Sequence, residues 1–466
     1  MKSENLGISE TAHPHLRKDA LELIHAVAIG VAGTAPSYSI AASTAVLIAA
    51  VGALAPASLL YCGLIMVGIT FAFVNLNRVY PHAGASYAWV GRVFNRDLGF
   101  ITGWTVLVSS ALFMVSATIP AATATLLLVA PDAAGNKLLV IGVSAGWLIA
   151  VSSVVVRGMH LTGVVQTIMT AVEIVVLGGL TVVALARYGP QALEHISWRM
   201  FAPSAFTPQS FAAGAVVALF FFWGWDVALN VSEETLDSGH TPGRAAALAM
   251  VVIVLAFMSF AVVTLTVLSE PEIQASGANV VFGVAEKLVP RPWSYLAVLA
   301  VMLSSVGTLE TSVLQFARTM FAKARAGEMH RRWSKVHEQW GTPYLATYLI
   351  TALGLVLLLL SLAFPTIDAL LKASINAIGL EIAFYYGLAA LACAWHFRRS
   401  AVNSVPLFLF AVAWPLASAV SLWIVAILAA QEMDTATLVI GIGGIIIGLV
   451  PLAWIRKAGR PKSGVA

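Results

Sequence analysis

The chain is short of charge. Only 10% of its 466 residues are Asp, Glu, Lys or Arg, against about 25% in soluble domains, which excludes an ordinary water-facing surface. Cysteine is almost missing too: Cys62 and Cys393, both in apolar runs, are the whole complement. That excludes a disulfide framework and a Cys-rich metal site. The ten histidines lie mostly in tails and loops without metal spacing, and there is no HExxH pair, GxSxG elbow or phosphate-binding glycine loop. A membrane-embedded enzyme therefore finds no motif here, and we expect neither a cofactor nor a bound metal. What the chain has instead is hydrocarbon. With 59% hydrophobic residues and a mean hydropathy of +0.89, it reads as an all-α, polytopic membrane protein. The formal charge of +4 does not point to nucleic acid, because the basic residues are scattered between apolar runs, as membrane topology requires.

A helix crossing ~30 Å of hydrocarbon needs about 20 apolar residues. Twelve such runs are present, near 21–49, 54–77, 98–128, 138–156, 162–186, 209–231, 245–268, 293–322, 344–363, 370–395, 405–428 and 437–455. The segment MKSENLGISETAHPHLRKDA has no short apolar core followed by a small-residue cleavage site, so 1–20 is expected to be a retained cytoplasmic tail. With that end inside, 19 of the 26 Lys and Arg face the cytoplasm and five (Lys137, Arg187, Arg199, Lys287, Arg291) face out, while Arg318 and Lys372 lie within spans. The excess supports twelve spans in the cytoplasmic membrane with both termini inside, the last residues 456–466 forming a second cytoplasmic tail.

Spans one and six are interrupted. In the first, GVAGTAPSY at 30–38 brings two glycines and Pro36; in the sixth, Phe222-Trp223-Gly224-Trp225 is followed by Asp226. These breaks open two sets of five spans, 21–186 and 209–395, as an inverted repeat would, with 405–455 supplying helices 11 and 12. Either break alone could be a kink. Paired breaks in matching places point to a binding site, because non-helical backbone at membrane depth survives only where it is buried or lines a cavity. Midplane breaks and dispersed carboxylates favour an occluding site over a continuous pore. Gly224 lets the helix open, and Asp226 begins the inner half-helix, where the dipole can hold a carboxylate ionised. Asp226, Asn230 and Glu233 fall on one face of that half-helix.

Several motifs now occur in order: GVAGTAPSY; PHAGASYAWVGRVFNRDLGFITGW after span two; WGWDVALNVSEET in span six; GTLETSVLQFARTMFAKARAG in and after span eight; and GTP at 341–343. Together they resemble the amino acid, polyamine and organocation transporter superfamily over nearly the whole chain. The resemblance implies a leucine-transporter-type fold and a permease working by alternating access. It further implies that exposed N–H groups at Ala35, Pro36, Ser37 and Tyr38, with Gly33 just before, receive a substrate carboxylate. Carbonyls and aromatic faces at Phe222, Trp223, Gly224 and Trp225 would hold the amino group, and a tryptophan face can bind a cation for ~0.5–2 kcal/mol. Pro36 cannot donate, however, and Pro36 and Tyr38 stand where the family pattern has glycine. Amino acids and decarboxylated amines or polyamines therefore both remain open as substrates.

Three further carboxylates lie near mid-span: Glu173, Glu310 and Glu381. Each is costly to insert and marks a proton relay or a cation partner. Relatives often place a lysine at the position of Glu173, so the resemblance carries over a position and not a mechanism. We expect Glu173, alone or with Glu310, to carry a coupled proton, making the protein a proton symporter. Exchange, and sodium coupling at oxygens of Ser304, Ser305 or Thr308, are the alternatives. Arg318 and Lys372 are available to pair these carboxylates. Glu233 and Glu234 are expected to form an inner gate by pairing with Arg92 or Arg96. The basic cluster at Lys323, Arg325, Arg331, Arg332 and Lys335 is the positive-inside signal, with lipid as an unspecific partner. Oligomeric state is not legible.

Overall fold

The computed structural model describes residues 15–195, 197–363 and 367–457, without the side chains of 190–195, 278 and 367–373. The described chain is helical, and its one β-type contact is a parallel bridge between Leu21 and Thr235. In order the helices are α1 (Leu23–Thr34), α2 (Pro36–Val51), α3 (Ala55–Val79), α4 (Ser86–Val93), α5 (Arg96–Val129), α6 (Lys137–Val156), α7 (Met159–His195), α8 (Pro208–Phe220), α9 (Val227–Asn230) and α10 (Thr241–Val267). They continue with α11 (Glu270–Ser276), α12 (Val280–Leu288), α13 (Tyr295–Arg325), α14 (Tyr344–Leu360), α15 (Ile367–Phe397), α16 (Val405–Phe408), α17 (Trp414–Gln431), α18 (Thr435–Ile447) and α19 (Leu449–Lys457).

Among the described residues, ten helical stretches are long and apolar enough to cross a membrane. The first, 23–79, holds two passages, since Gly52 with φ +55° ends α2 before α3 begins. The sixth passage is too short to be one of the ten, because α8 stops at Phe220 and the chain leaves the helix. With these two the twelve passages read from the sequence are accounted for. Polar caps start several of them: Asn95 accepts from Leu98 N–H, Asn136 from Leu138 and Leu139, Thr207 from Ser210, and Asp434 from Thr437. Each satisfies donors that a helix start otherwise leaves open.

Helix α13 is buried along most of its length and packs most extensively on α5, with α1 and α7 also against it. At the periphery Val175, Val182, Leu255, Ile424, Ile427, Ile446 and Ile447 point outward and exposed, the arrangement expected where lipid is the solvent. Glycines set the inner contacts. A Cβ on Gly99 would crowd Gly91 Cα at 2.5 Å, and one on Gly103 would lie 2.9 Å from Tyr87 Cβ, so α4 seats closely on α5. The link between the seventh and eighth passages folds into α11 and α12. The latter buries Val280, Val281, Val284 and Leu288 and packs on α2 and α13, a pair of helices the hydropathy pattern did not suggest.

Candidate functional site

The first interruption is narrower than the glycine pattern suggested. Helix α1 runs unbroken through Gly30 and Gly33 to Thr34, and the break is Ala35 alone, left-handed at φ +46°, ψ +67°. Pro36 then starts α2. Proline has no N–H and disfavours the helical conformation in the residue before it, and a left-handed alanine costs roughly 1–2 kcal/mol. The donors released at the start of α2 all find acceptors. Ser37 N–H donates to Glu173 Oε1 at 2.6 Å, Tyr38 N–H to Ser304 Oγ at 3.2 Å, and Ser39 N–H to the Ala35 carbonyl at 2.8 Å. Ser304 Oγ donates in turn to Glu173 Oε1 at 2.7 Å. Glu173, reaching across from α7 and 1% exposed, thus caps α2.

The second interruption is broader. From Phe221 to Asp226 the chain is irregular, with Gly224 at φ +103°, and helix resumes only as the four residues of α9. A helix of one turn has almost no macrodipole, and Asp226 makes no capping hydrogen bond. The expected dipole support for its charge is replaced by side chains. Tyr386 donates to Asp226 Oδ1 at 2.8 Å, Gln315 Nε2 to Oδ2 at 2.9 Å, and Tyr385 more weakly to Oδ2 at 3.4 Å. Gln315 also lies 3.5 Å from Asn230 Oδ1. Glu233 leaves this face because 3₁₀ geometry follows Val231.

The two breaks meet backbone to backbone: a Cβ on Gly33 or on Gly224 would strike the other's carbonyl oxygen. Here glycine is required by close approach, and at Gly224 also by positive φ. Thr308 Oγ1 completes the junction, donating to the Gly33 carbonyl at 2.9 Å. Ser304 and Ser305 are likewise engaged, the latter with the Val301 carbonyl, so the oxygens considered for sodium are tied into hydrogen bonds of their own. Among the described residues no cluster of three His, Cys, Asp or Glu could hold a metal.

The aromatic candidates do not form one pocket. Phe222 packs on Phe257, Trp225 on Phe73 and Tyr386, and Trp223 sets its edge against Phe113 while its indole N–H donates to Tyr385 Oη at 2.8 Å. A cavity of about 800 Å³ lies beside the breaks, and Tyr38 alone of the candidates lines it; Phe220, Val217, Ile119, Thr123, Asn279 and Asn376 form part of its wall. None of the described lining residues is charged. The cavity reaches α12 and Ala134, at the end expected to face outside.

The opposite end is sealed by ion pairs, with partners other than those expected. Glu234 is paired with Arg318, 2.9 and 3.1 Å away and fully buried, so Arg318 serves the inner end and not the mid-span carboxylates. Glu233 accepts from Arg325 at 2.5 and 2.7 Å and from Ala83 N–H at 2.8 Å. Arg92 instead covers the Tyr80 ring and Arg96 pairs with Glu328 at 3.7 Å. Lys323 lies over Phe100 at 3.6 Å and donates to its carbonyl. Ala20 and Leu21 N–H both donate to the Glu234 carbonyl, tying the start of α1 to the end of the sixth passage. In this seal burial pushes the His82 imidazole down to about 4. Burial raises Glu233, but the Arg325 hydrogen bonds and charge outweigh it and hold the carboxyl below its usual range.

Glu310 and Glu381 differ from all of these. Neither has a hydrogen-bond partner for either oxygen among the described residues, though both are buried, and Glu310 does not join the Glu173 network. An ionised carboxylate there would be uncompensated. The side chain of Lys372 lies outside the described residues. Sequence reasoning missed Ser304, Gln315, Tyr385 and Tyr386 as partners of the two breaks. The tyrosine pair had a signal, adjacent phenols four and five residues after Glu381 in a mid-span run.

Residues 21–452 match the family described as amino acid permease. Among curated relatives, the serine/threonine exchanger SteT of Bacillus subtilis is 24% identical over 305 residues, 63% of this chain and 65% of its own length. The low-affinity putrescine importer PlaP of Escherichia coli K12 is 24% identical over 402 residues, 84% of this chain and 83% of its own. A shorter match of 170 residues, 28% identical, covers 36% of this chain and 30% of the large neutral amino acids transporter small subunit 2 of Oryctolagus cuniculus. Two touching breaks, a cavity beside them and a family match over almost every passage agree: this chain is a multi-pass membrane protein belonging to the amino acid permease family.

Proposed function

We propose that the protein is a secondary carrier of small amine-bearing solutes, amino acids or related amines, in the cytoplasmic membrane. The observation that carries this reading is the pairing of a cavity on one side of the two breaks with an ion-pair seal on the other. Such a chain is closed at the end bearing its termini, and alternating access requires a second state in which the Glu234–Arg318 and Glu233–Arg325 pairs part and the cavity closes. The two five-span halves, 21–186 and 209–395, are the bodies we assign to that rocking, with 405–455 outside them. Both termini face the cytoplasm in this reading. The meeting of Gly33, Ala35, Pro36, Ser37 and Tyr38 with Phe222, Trp223, Gly224, Trp225 and Asp226 is the substrate site.

Proton symport is the preferred mode. Glu173 touches the first break, and its hydrogen bonds come from Ser37 and Ser304, so its protonation changes what holds α2 in place. Glu310, without a hydrogen-bond partner among the described residues, is the second proton site in this reading. Uptake by purified protein in liposomes, with and without an inward proton gradient, is the test. Gradient-stimulated uptake that Glu173→Gln abolishes supports symport. Uptake that needs only internal substrate means exchange, the mode named for the Bacillus relative, and unchanged proton-driven uptake in Glu173→Gln removes Glu173 from the coupling.

A further inference from the structure

We infer that the transported solute is an amine without a carboxylate, because a side chain of the protein already occupies the place where a substrate carboxylate would sit. The inference rests on the carrier reading above and narrows its substrate class. The start of α2 is the anion-binding end of a half-helix, and three groups there are in question. Pro36 has no N–H; Ser37 N–H is held by Glu173 Oε1 at 2.6 Å; Tyr38 N–H is held by Ser304 Oγ at 3.2 Å. The next donor, Ser39 N–H, is spent inside the helix. No backbone donor is left at this helix start for a second carboxylate, and one entering would have to displace Glu173 from the Ser37 N–H. The described buried cations, Arg318 and Lys323, are engaged at the sealed end, and no described residue lining the cavity is basic. The second break adds a carboxylate, Asp226, and no cation.

An ammonium meets the opposite situation. Each break carries a carboxylate, Glu173 at the first and Asp226 at the second. Neither lines the cavity, whose described wall beside Tyr38 is uncharged and mainly apolar and accepts an uncharged tail. Glu173 therefore does for an amine what the substrate's own carboxylate does for an amino acid: it satisfies the α2 donors and places a negative charge beside the bound nitrogen.

The test is equilibrium binding to purified full-length protein, measured by displacement of a labelled amine, with matched pairs differing only by the carboxylate: serine and ethanolamine, ornithine and putrescine, phenylalanine and phenethylamine. The wild type should bind at least one amine tenfold or more tightly than its amino acid. Glu173→Gln keeps an oxygen on the Ser37 N–H and should still reject the amino acid. Glu173→Ala uncovers that donor and should shrink the amine preference by tenfold or more. A wild type that binds an amino acid as well as or better than its amine overturns the inference and leaves the carrier reading standing. Binding of no member of either class overturns that reading too. The wild-type comparison decides the point even if Glu173→Ala does not fold.

Discussion

The two interrupted passages meet the same difficulty by opposite means. In the first, one left-handed alanine and a proline open the helix, and a carboxylate from a distant helix is brought in to serve the backbone. In the second, six irregular residues open the chain, and the carboxylate belongs to the break itself and is served by side chains from α13 and α15. Glu173 thus acts as a missing ligand for freed donors, whereas Asp226 is a charge whose solvation shell has been rebuilt from Gln315, Tyr385 and Tyr386. Freed backbone in a membrane must be satisfied, but the acceptor need not come from the substrate.

The strongest way to break this comparison is to force the two breaks apart. Gly33→Ala places a methyl against the Gly224 carbonyl, and both partners are backbone that cannot swing away; we expect loss of nearly all folded protein, read by size-exclusion chromatography in detergent. Next comes the seal that holds the inner side of both breaks. Arg318→Met strands the buried Glu234 and should cost ~3–5 kcal/mol, while joint replacement of Arg318 and Glu234 by Met and Leu should recover most of that loss, both followed by thermal melting. A smaller effect separates the carboxylates. Glu173→Ala orphans the Ser37 N–H and should cost ~1–3 kcal/mol, with Glu173→Gln milder. Asp226→Asn should lower amine binding at least tenfold in displacement assays while costing less stability than Glu173→Ala, because its tyrosine partners can still donate to the amide oxygen.

The smallest effect concerns acid. His82 is neutral in the folded seal down to about pH 4, whereas a free imidazole is charged below about 6.5, so across that window the unfolded chain binds more protons. Stability should therefore fall as pH drops from 6.5 towards 4. Glu233, held below its usual range, contributes with the same sign at the acid end. The difference in melting temperature between wild type and His82→Gln should narrow through this window; a difference independent of pH would remove His82 from the effect.

Much of this was legible in one dimension. Twelve apolar runs, the basic excess on one side and interruptions within 30–38 and 222–226 could be marked because membrane insertion is a local contest between hydrocarbon and water, decided residue by residue. The extent of the breaks could not. Gly30 and Gly33 look like helix breakers, but they sit inside α1 to let Ala249 and Gly224 approach. Glu233 and Glu234 pair with Arg325 and Arg318 of α13, 92 and 84 residues on, and not with Arg92 and Arg96 as the sequence suggested.

The sequence by itself determined that the chain spans a membrane, how often, and where helix had to fail, because glycine, proline and hydropathy act on their own neighbourhood. Only the tertiary structure decided which groups satisfy the opened backbone. Glu173 lies 136 residues from Ser37 and Tyr386 lies 160 from Asp226, and nothing in the local chemistry of a buried carboxylate says which distant donor it will face.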